Sequence, residues 1–138
     1  MANNKINVDP EKMKVMIYKW GKKEVLDEGF VPIPKRFLRV MRAVLDSEKS
    51  LSDLRVILAI VDLRRPGDNS EFYISQLASI AGIKVELFID RLKSLHAQRL
   101  LRVEFKDKTR VSIDIASLAK RIMMESDPEE KDDSAPLF

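Results

Sequence analysis

Apolar residues along this chain recur with two periods, one helical and one extended, and the switch between them falls near residue 100. From Lys35 to Asp46, Phe37, Leu38, Met41, Val44 and Leu45 stand at i, i+1, i+4, i+7 and i+8, one face of a helix. Pro34 opens that helix at a first position where a missing N–H is harmless. A second helix is predicted from Asp53 to Arg65, burying Leu54, Ile57, Leu58 and Val61. Ser52 serves as its N-cap, with Leu51 and Val56 placed for a hydrophobic staple. Arg64 and Arg65 suit its C-terminal dipole, and Pro66-Gly67 ends it, leaving a polar loop from Pro66 to Glu71.

The next stretch, FYISQLASIAGIKVELFIDRLKSLHAQRLLRVEF from Phe72, carries the strongest pattern. Ser75 is read as the cap of a short helix running to about Ala81. Gly82 supplies the left-handed residue of a sharp turn, and Ala78, small and four residues earlier, lets two helices approach closely. Ile83, Phe88, Leu92 and Leu95 then mark the inner face of a second helix, about Lys84 to Ala97. Beyond it the period becomes two. Leu101, Val103 and Phe105 alternate with Arg102, Glu104 and Lys106. After Asp107-Lys108-Thr109, Val111, Ile113 and Ile115 alternate with Arg110, Ser112 and Asp114, which predicts a β-hairpin. Helix, turn, helix, hairpin is the order of a winged helix-turn-helix. The expected fold is mainly α (α+β) with a C-terminal two-stranded wing over Arg102 to Asp114. A last helix, Ser117 to Glu125, would pack Leu118, Ile122 and Met123 on the body.

The N-terminal part is read differently. Residues 1 to 11 are polar. Lys12 to Trp20 alternates Met13, Val15 and Ile17 with Lys12, Lys14 and Met16, which favours a short strand, with a helix as the alternative. Gly21-Lys22-Lys23 reads as a turn and Glu24 to Ile33 as extended or irregular, since Pro32 and Pro34 keep their predecessors out of the α region. The expected organisation is an N-terminal extension (1–28), a winged-helix domain (29–126) and a disordered acidic tail (127–138).

Composition narrows the function classes. The chain of 138 residues is long enough for one ordinary domain. It has no cysteine, which excludes disulfides and thiolate metal sites and fits a reducing, cytoplasmic setting. No run of about 18 apolar residues exists to span a membrane. The formal charge of +3 divides into +7 over residues 1–126 and −4 over residues 127–138. A basic body suits an acidic partner, nucleic acid being the commonest. Catalysis has little to use: one histidine, His96, near a helix end, and four glycines with no phosphate loop. The chain is therefore read as a binding protein and not an enzyme, with no cofactor and no metal.

Gly29-Phe30-Val31 with Ile33-Pro34 before a helix, then Leu51-Ser52-Asp53-Leu54-Arg55-Val56-Ile57-Leu58-Ala59-Ile60, then Ile74-Ser75-Gln76-Leu77-Ala78 with Gly82, resembles the N-terminal winged-helix domain of phage replication protein O. It is also similar to DnaD-like replication initiation proteins and plasmid initiators. The resemblance runs from about Gly29 to Phe105. It implies double-stranded DNA as the ligand and a role in replication initiation, with transcription regulation the neighbouring possibility. Two departures stand out. Lys84-Val85-Glu86-Leu87 opens the recognition helix where Ser or Thr and arginines are common, and Arg99 replaces a glycine common before the wing.

On that reading Lys84 and Arg91 face DNA from the recognition helix, and Glu86 is placed to accept from a cytosine amine. Ser75 and Gln76 sit at a helix N-terminus suited to a phosphate, and Lys106, Lys108 and Arg110 lie on the wing. The charges Lys35, Arg36, Arg39 and Arg42 form either a solvated or a phosphate-contacting face. The alternative function is a protein-interaction or dimerisation module in a nucleoprotein complex, with Val85 and Leu87 as its apolar patch. Pro136, Leu137 and Phe138, after an acidic run, resemble the acidic tip of single-strand-binding proteins and the sliding-clamp-binding peptide. They would dock replisome proteins or fold back on the basic body.

Overall fold

The computed structural model describes residues 9–65 and 71–125; the Pro66 turn, most of the loop after it and the whole acidic run 127–138 with Pro136, Leu137 and Phe138 lie outside them. The chain divides into two units, one up to Pro32 and the other from Ile33.

The first unit corrects the expected strand. Pro10–Trp20 is a helix, α1. Asp9 caps it, Oδ1 accepting from the Glu11 N–H at 3.0 Å, and Pro10 occupies its first position. Gly21 closes it at φ 87, its N–H donating to the Ile17 carbonyl. These stop and start signals outweigh a short alternation that a helix also accommodates, because Met13, Met16 and Ile17 fall at i, i+3 and i+4 and are the half-buried positions. A 3-10 turn follows at Lys23–Leu26.

The second unit holds α2 (Lys35–Val44), α3 (Ser50–Leu63), β1 (Glu71–Tyr73), α4 (Ile74–Ala81), α5 (Val85–Ala97), β2 (Arg102–Phe105), β3 (Arg110–Asp114) and α6 (Ala116–Met124). It is mainly helical, with one small antiparallel sheet among the described residues. Its core draws on most of these elements: Phe37 and Val40 from α2, Ile57 and Ile60 from α3, Phe72 from β1, Leu77 from α4, Phe88, Leu92 and Leu95 from α5, Val111 and Ile113 from β3 and Leu118 from α6.

Several boundaries and faces differ from the sequence expectation. On α2 the buried residues are Phe37, Val40 and Val44, while Leu38 is 63% exposed. The 3- and 4-residue spacing of that set is a tighter helical stripe than the one read from Leu38 and Met41. α3 starts at Ser50 with Lys49 at the N-cap, so Ser52 lies inside its first turn. Leu51 points to solvent while Val56 is fully buried, so the staple between them is not made. α3 stops at Leu63, and Arg65 still donates to the Asp62 carbonyl of its last turn at 2.7 Å.

The pattern of residues does not announce β1. It pairs antiparallel with β3, Phe72 opposite Val111, so the sheet has three strands in the order β1-β3-β2 instead of two. Three residues are too few to show a period of two, which is why the polar loop hid it. β1 runs straight into α4, whose N-cap position is Tyr73 and not Ser75. The Ile74 N–H, one of the donors a helix start leaves over, goes to the Thr109 carbonyl at 2.9 Å.

The two turns flanking α5 use left-handed residues. Gly82, at φ 71, ends α4, with the Ile83 N–H returning to the Ala78 carbonyl. At the other end Arg99 takes φ 62, its N–H bonding the His96 carbonyl while Leu100 bonds Leu95. That pair of bonds is a Schellman closure with an arginine where glycine would be unstrained.

Candidate nucleic-acid interface

α4 and α5 meet at the Gly82 turn, and the β2–β3 hairpin is fastened to both. At the far end of α5, His96 Nδ1 accepts from the Val103 N–H at 3.1 Å. Lys93 Nζ stands 5.9 Å from the centre of the Phe105 ring, within cation–π reach. On the other side the bond from Ile74 to Thr109 ties the start of α4 to the hairpin turn, and Tyr73 pairs with Arg110. Ile74, the residue before Ser75 and Gln76, is thus bonded to Thr109, the residue after Lys108, while Ser75 and Gln76 are both exposed.

The hairpin turn is held by one side chain. Asp107 Oδ1 accepts from the Thr109 N–H at 2.8 Å, the Thr109 hydroxyl at 2.9 Å and the Arg110 N–H at 2.9 Å. Its Oδ2 accepts from Arg110 Nε at 3.1 Å. The Thr109 N–H above all, then the Thr109 hydroxyl and the Arg110 N–H, hold this carboxyl well below the usual carboxylate range. Arg110 is therefore mostly a structural cation. Its guanidinium lies between Asp107 and Glu71, the latter at 3.3 Å, and the bond to Asp107 raises its pKa. Lys106, the residue after β2, pairs with Glu104 of that strand at 3.5 Å. Lys108 and Lys84 have no ion-pair partner among the described residues.

Arg91 is the expected DNA contact that does not face outward. Its side chain is buried and bonds Asp53 of α3 in a fork, Nε to Oδ1 at 2.6 Å and Nη2 to Oδ2 at 3.2 Å. Asp53 also accepts from Ser47 Oγ at 3.0 Å, and Arg91 donates to Ser94 Oγ at 3.1 Å and to Asp90 at 3.3 Å. The bond to Asp53 raises the Arg91 pKa against the desolvation that burial imposes. Among the described residues no buried side-chain polar atom is left without a partner. The signal for this inward turn is present in the spacing. Phe88, Arg91, Leu92 and Leu95 stand at i, i+3, i+4 and i+7, and Asp53, Val56, Ile57 and Ile60 do the same on α3.

With Arg91 withdrawn, the outward face of α5 carries Lys84, Glu86, Asp90 and Lys93, two bases and two acids, and so has no net charge. Val85 is 39% exposed at its start, and Leu87 is half-buried. Two further cations escape a reading of the sequence alone. Lys93 is on the exposed side, one helical repeat of seven beyond Glu86. Arg55 of α3 brings its Nη1 to the Gly82 turn, 3.9 Å from where a β-carbon on that glycine would lie.

Among the described residues no three His, Asp or Glu side chains gather as a metal site, and no helix is long and apolar enough to cross a membrane. No protein-family model matches the sequence, and neither a curated protein nor a solved structure matches the chain.

Proposed function

We propose that this chain binds double-stranded DNA as a winged-helix protein, with α4 and α5 as the helix-turn-helix and β2–β3 as the wing. The observation that carries the reading is the continuous arrangement of α4, the Gly82 turn, α5 and a hairpin fastened to both helices. In such an arrangement α5 would enter the major groove while the hairpin tip and the start of α4 meet the backbone. The neutral outer face of α5 makes Lys84, Lys93, Lys106, Lys108 and Arg55 the phosphate contacts, with Glu86 the base-reading candidate. The resemblance over Gly29 to Phe105 favours replication initiation over transcription control as the setting.

Fluorescence anisotropy of labelled duplex and single-stranded DNA, titrated with the chain at two salt concentrations, tests this. Duplex is expected to bind more tightly, with affinity falling steeply as salt rises. Replacing Lys106 and Lys108 together by alanine should reduce the salt slope by about two, about one for each phosphate no longer neutralised. An unchanged slope would remove the wing from the interface.

A second reading, a protein-docking or dimerisation surface, is supported by Val85 standing exposed beside acidic Glu86 on a neutral helix face. If duplex does not bind at low salt, this becomes the preferred function. Val85→Glu should then lower the mass seen by light scattering or abolish partner capture.

A further inference from the structure

The edge of the second unit formed by α2 and α3 bears a groove that the DNA-binding reading does not use. Met41, Leu45 and Leu54 line it, with Leu38 and Leu51 on its rim, 63% and 64% exposed, and Arg42 at its mouth. Single exposed leucines need no explanation, but two facing one apolar trough form a contiguous patch. The space is about 330 Å³. An apolar cavity of about 150 Å³ takes one benzene ring, so the groove holds about two large apolar side chains.

The structure also fixes where the last described residue, Glu125, sits: across α2 from this groove. Arg36 of α2 reaches across to α6 and donates to the carbonyls of Ile122 and Met123 at 3.2 Å and of Glu125 at 3.1 Å. Glu125 therefore lies against the first turn of α2. Arg36 and Ala43 mark the α6 flank of that helix, and Leu38, Met41 and Leu45 mark its α3 flank. At 100° per residue Lys35 and Arg42 fall within about 20° of each other, on the solvent side that lies between the two flanks.

The sequence after residue 125 has the same order of chemistry. Residues 127–133 carry five acids and one lysine, and Leu137 and Phe138 follow. Crossing a helix of about 10–12 Å diameter is a short distance for twelve residues, which extend to about 40 Å. A path from Glu125 over the solvent side of α2 would meet Lys35 and Arg42 before the groove, the same order as acids and then large apolar side chains in the sequence. A tethered segment acts at an effective concentration in the millimolar range, so a weak contact is enough.

We propose that residues 127–138 dock in the groove between α2 and α3, the acids over Lys35 and Arg42 and the side chains of Leu137 and Phe138 between Leu38 and Leu51. This occupant is independent of whether the chain binds DNA.

The absence of cysteine makes the test direct. A nitroxide attached to Ser134→Cys in the full chain, read by 15N amide spectra, should broaden the amides of Leu38, Arg42, Leu51 and Leu54. In the same labelled chain carrying Leu38→Glu and Arg42→Glu, those amides should regain at least half of the lost intensity. Both residues are exposed, so the pair leaves the core intact, and unchanged amide positions elsewhere would verify this. Broadening absent from the groove, or unaffected by the double variant, overturns the proposal. A mixture of 15N chain without nitroxide and nitroxide-bearing chain without 15N separates the remaining occupant. Groove broadening in that mixture assigns the site to a second copy and overturns the intrachain contact.

Discussion

The Asp53–Arg91 pair decides how far single residues can be read from spacing alone. Both residues obey the period of the core, yet a charge at a core position is usually a misreading of the helix, so spacing alone does not place them inside. Here two such positions on adjacent helices face each other, and each charge supplies what the other lacks. A forked arginine–carboxylate bond is among the stronger side-chain contacts, yet burying both ions offsets much of its gain. Removing one partner is a different matter, since the other is left charged and dry. Asp53→Ala should lower stability by about 3–5 kcal/mol, measured as the midpoint shift of urea unfolding. The double change Asp53→Leu with Arg91→Met should recover most of that loss, because no orphan charge remains. A double variant as unstable as Asp53→Ala would mean that the site depends on something other than ion pairing.

At the scale of elements, long periodic segments are readable and short or locally capped ones are not. α5 and the hairpin stand where the pattern places them, α5 because thirteen residues hold one helical period and the hairpin because two alternating runs flank one short polar turn. α1 is ambiguous by pattern because a nine-residue window reads either way, and its Asp9 cap and Gly21 stop decide it. β1 escapes the sequence because its cause is not a period but a partner elsewhere in the chain. The turn at Asp107-Lys108-Thr109 is read from the two alternating runs, and only the bonds that converge on Asp107 are not. The turn gives a pH prediction with a definite sign. Asp107 is held below its ordinary value of 3.8, so its ionised form is favoured in the folded hairpin. The contribution is full above that ordinary value and fades only as pH falls through the lower folded one. In an NMR titration the Thr109 and Arg110 amides should therefore hold their positions from about neutral pH down past 3.8 and move at more acidic pH. A midpoint near 3.8 would contradict the four bonds that converge on this carboxylate. Asp107→Asn should remove the acid transition from these two amides and leave the α5 amides unchanged.

For the molecule as a whole, the distribution of buried side chains predicts which part carries the stability. Among the described residues every buried hydrophobic side chain lies between Phe37 and Leu118, and α1 buries none completely. The sequence places the domain boundary at residue 28, from the Gly29-Phe30 resemblance, whereas the packing divides the chain at Pro32 and Ile33. An eleven-residue helix is at the margin of what forms alone in water, since nucleation is costly and few bonds follow it. A chain lacking residues 1–32 should therefore keep a single cooperative urea transition, because the apolar area that drives folding stays within what remains. A peptide of residues 1–32 should show little helix by circular dichroism at about 25 °C. Duplex affinity and its salt slope should survive the deletion if the interface is α4, α5 and the hairpin, none of which loses a residue. Loss of the cooperative transition would show that the first unit completes the core of the second. Loss of DNA binding with folding preserved would move the phosphate contacts to α1, whose Lys12, Lys14 and Lys19 are exposed.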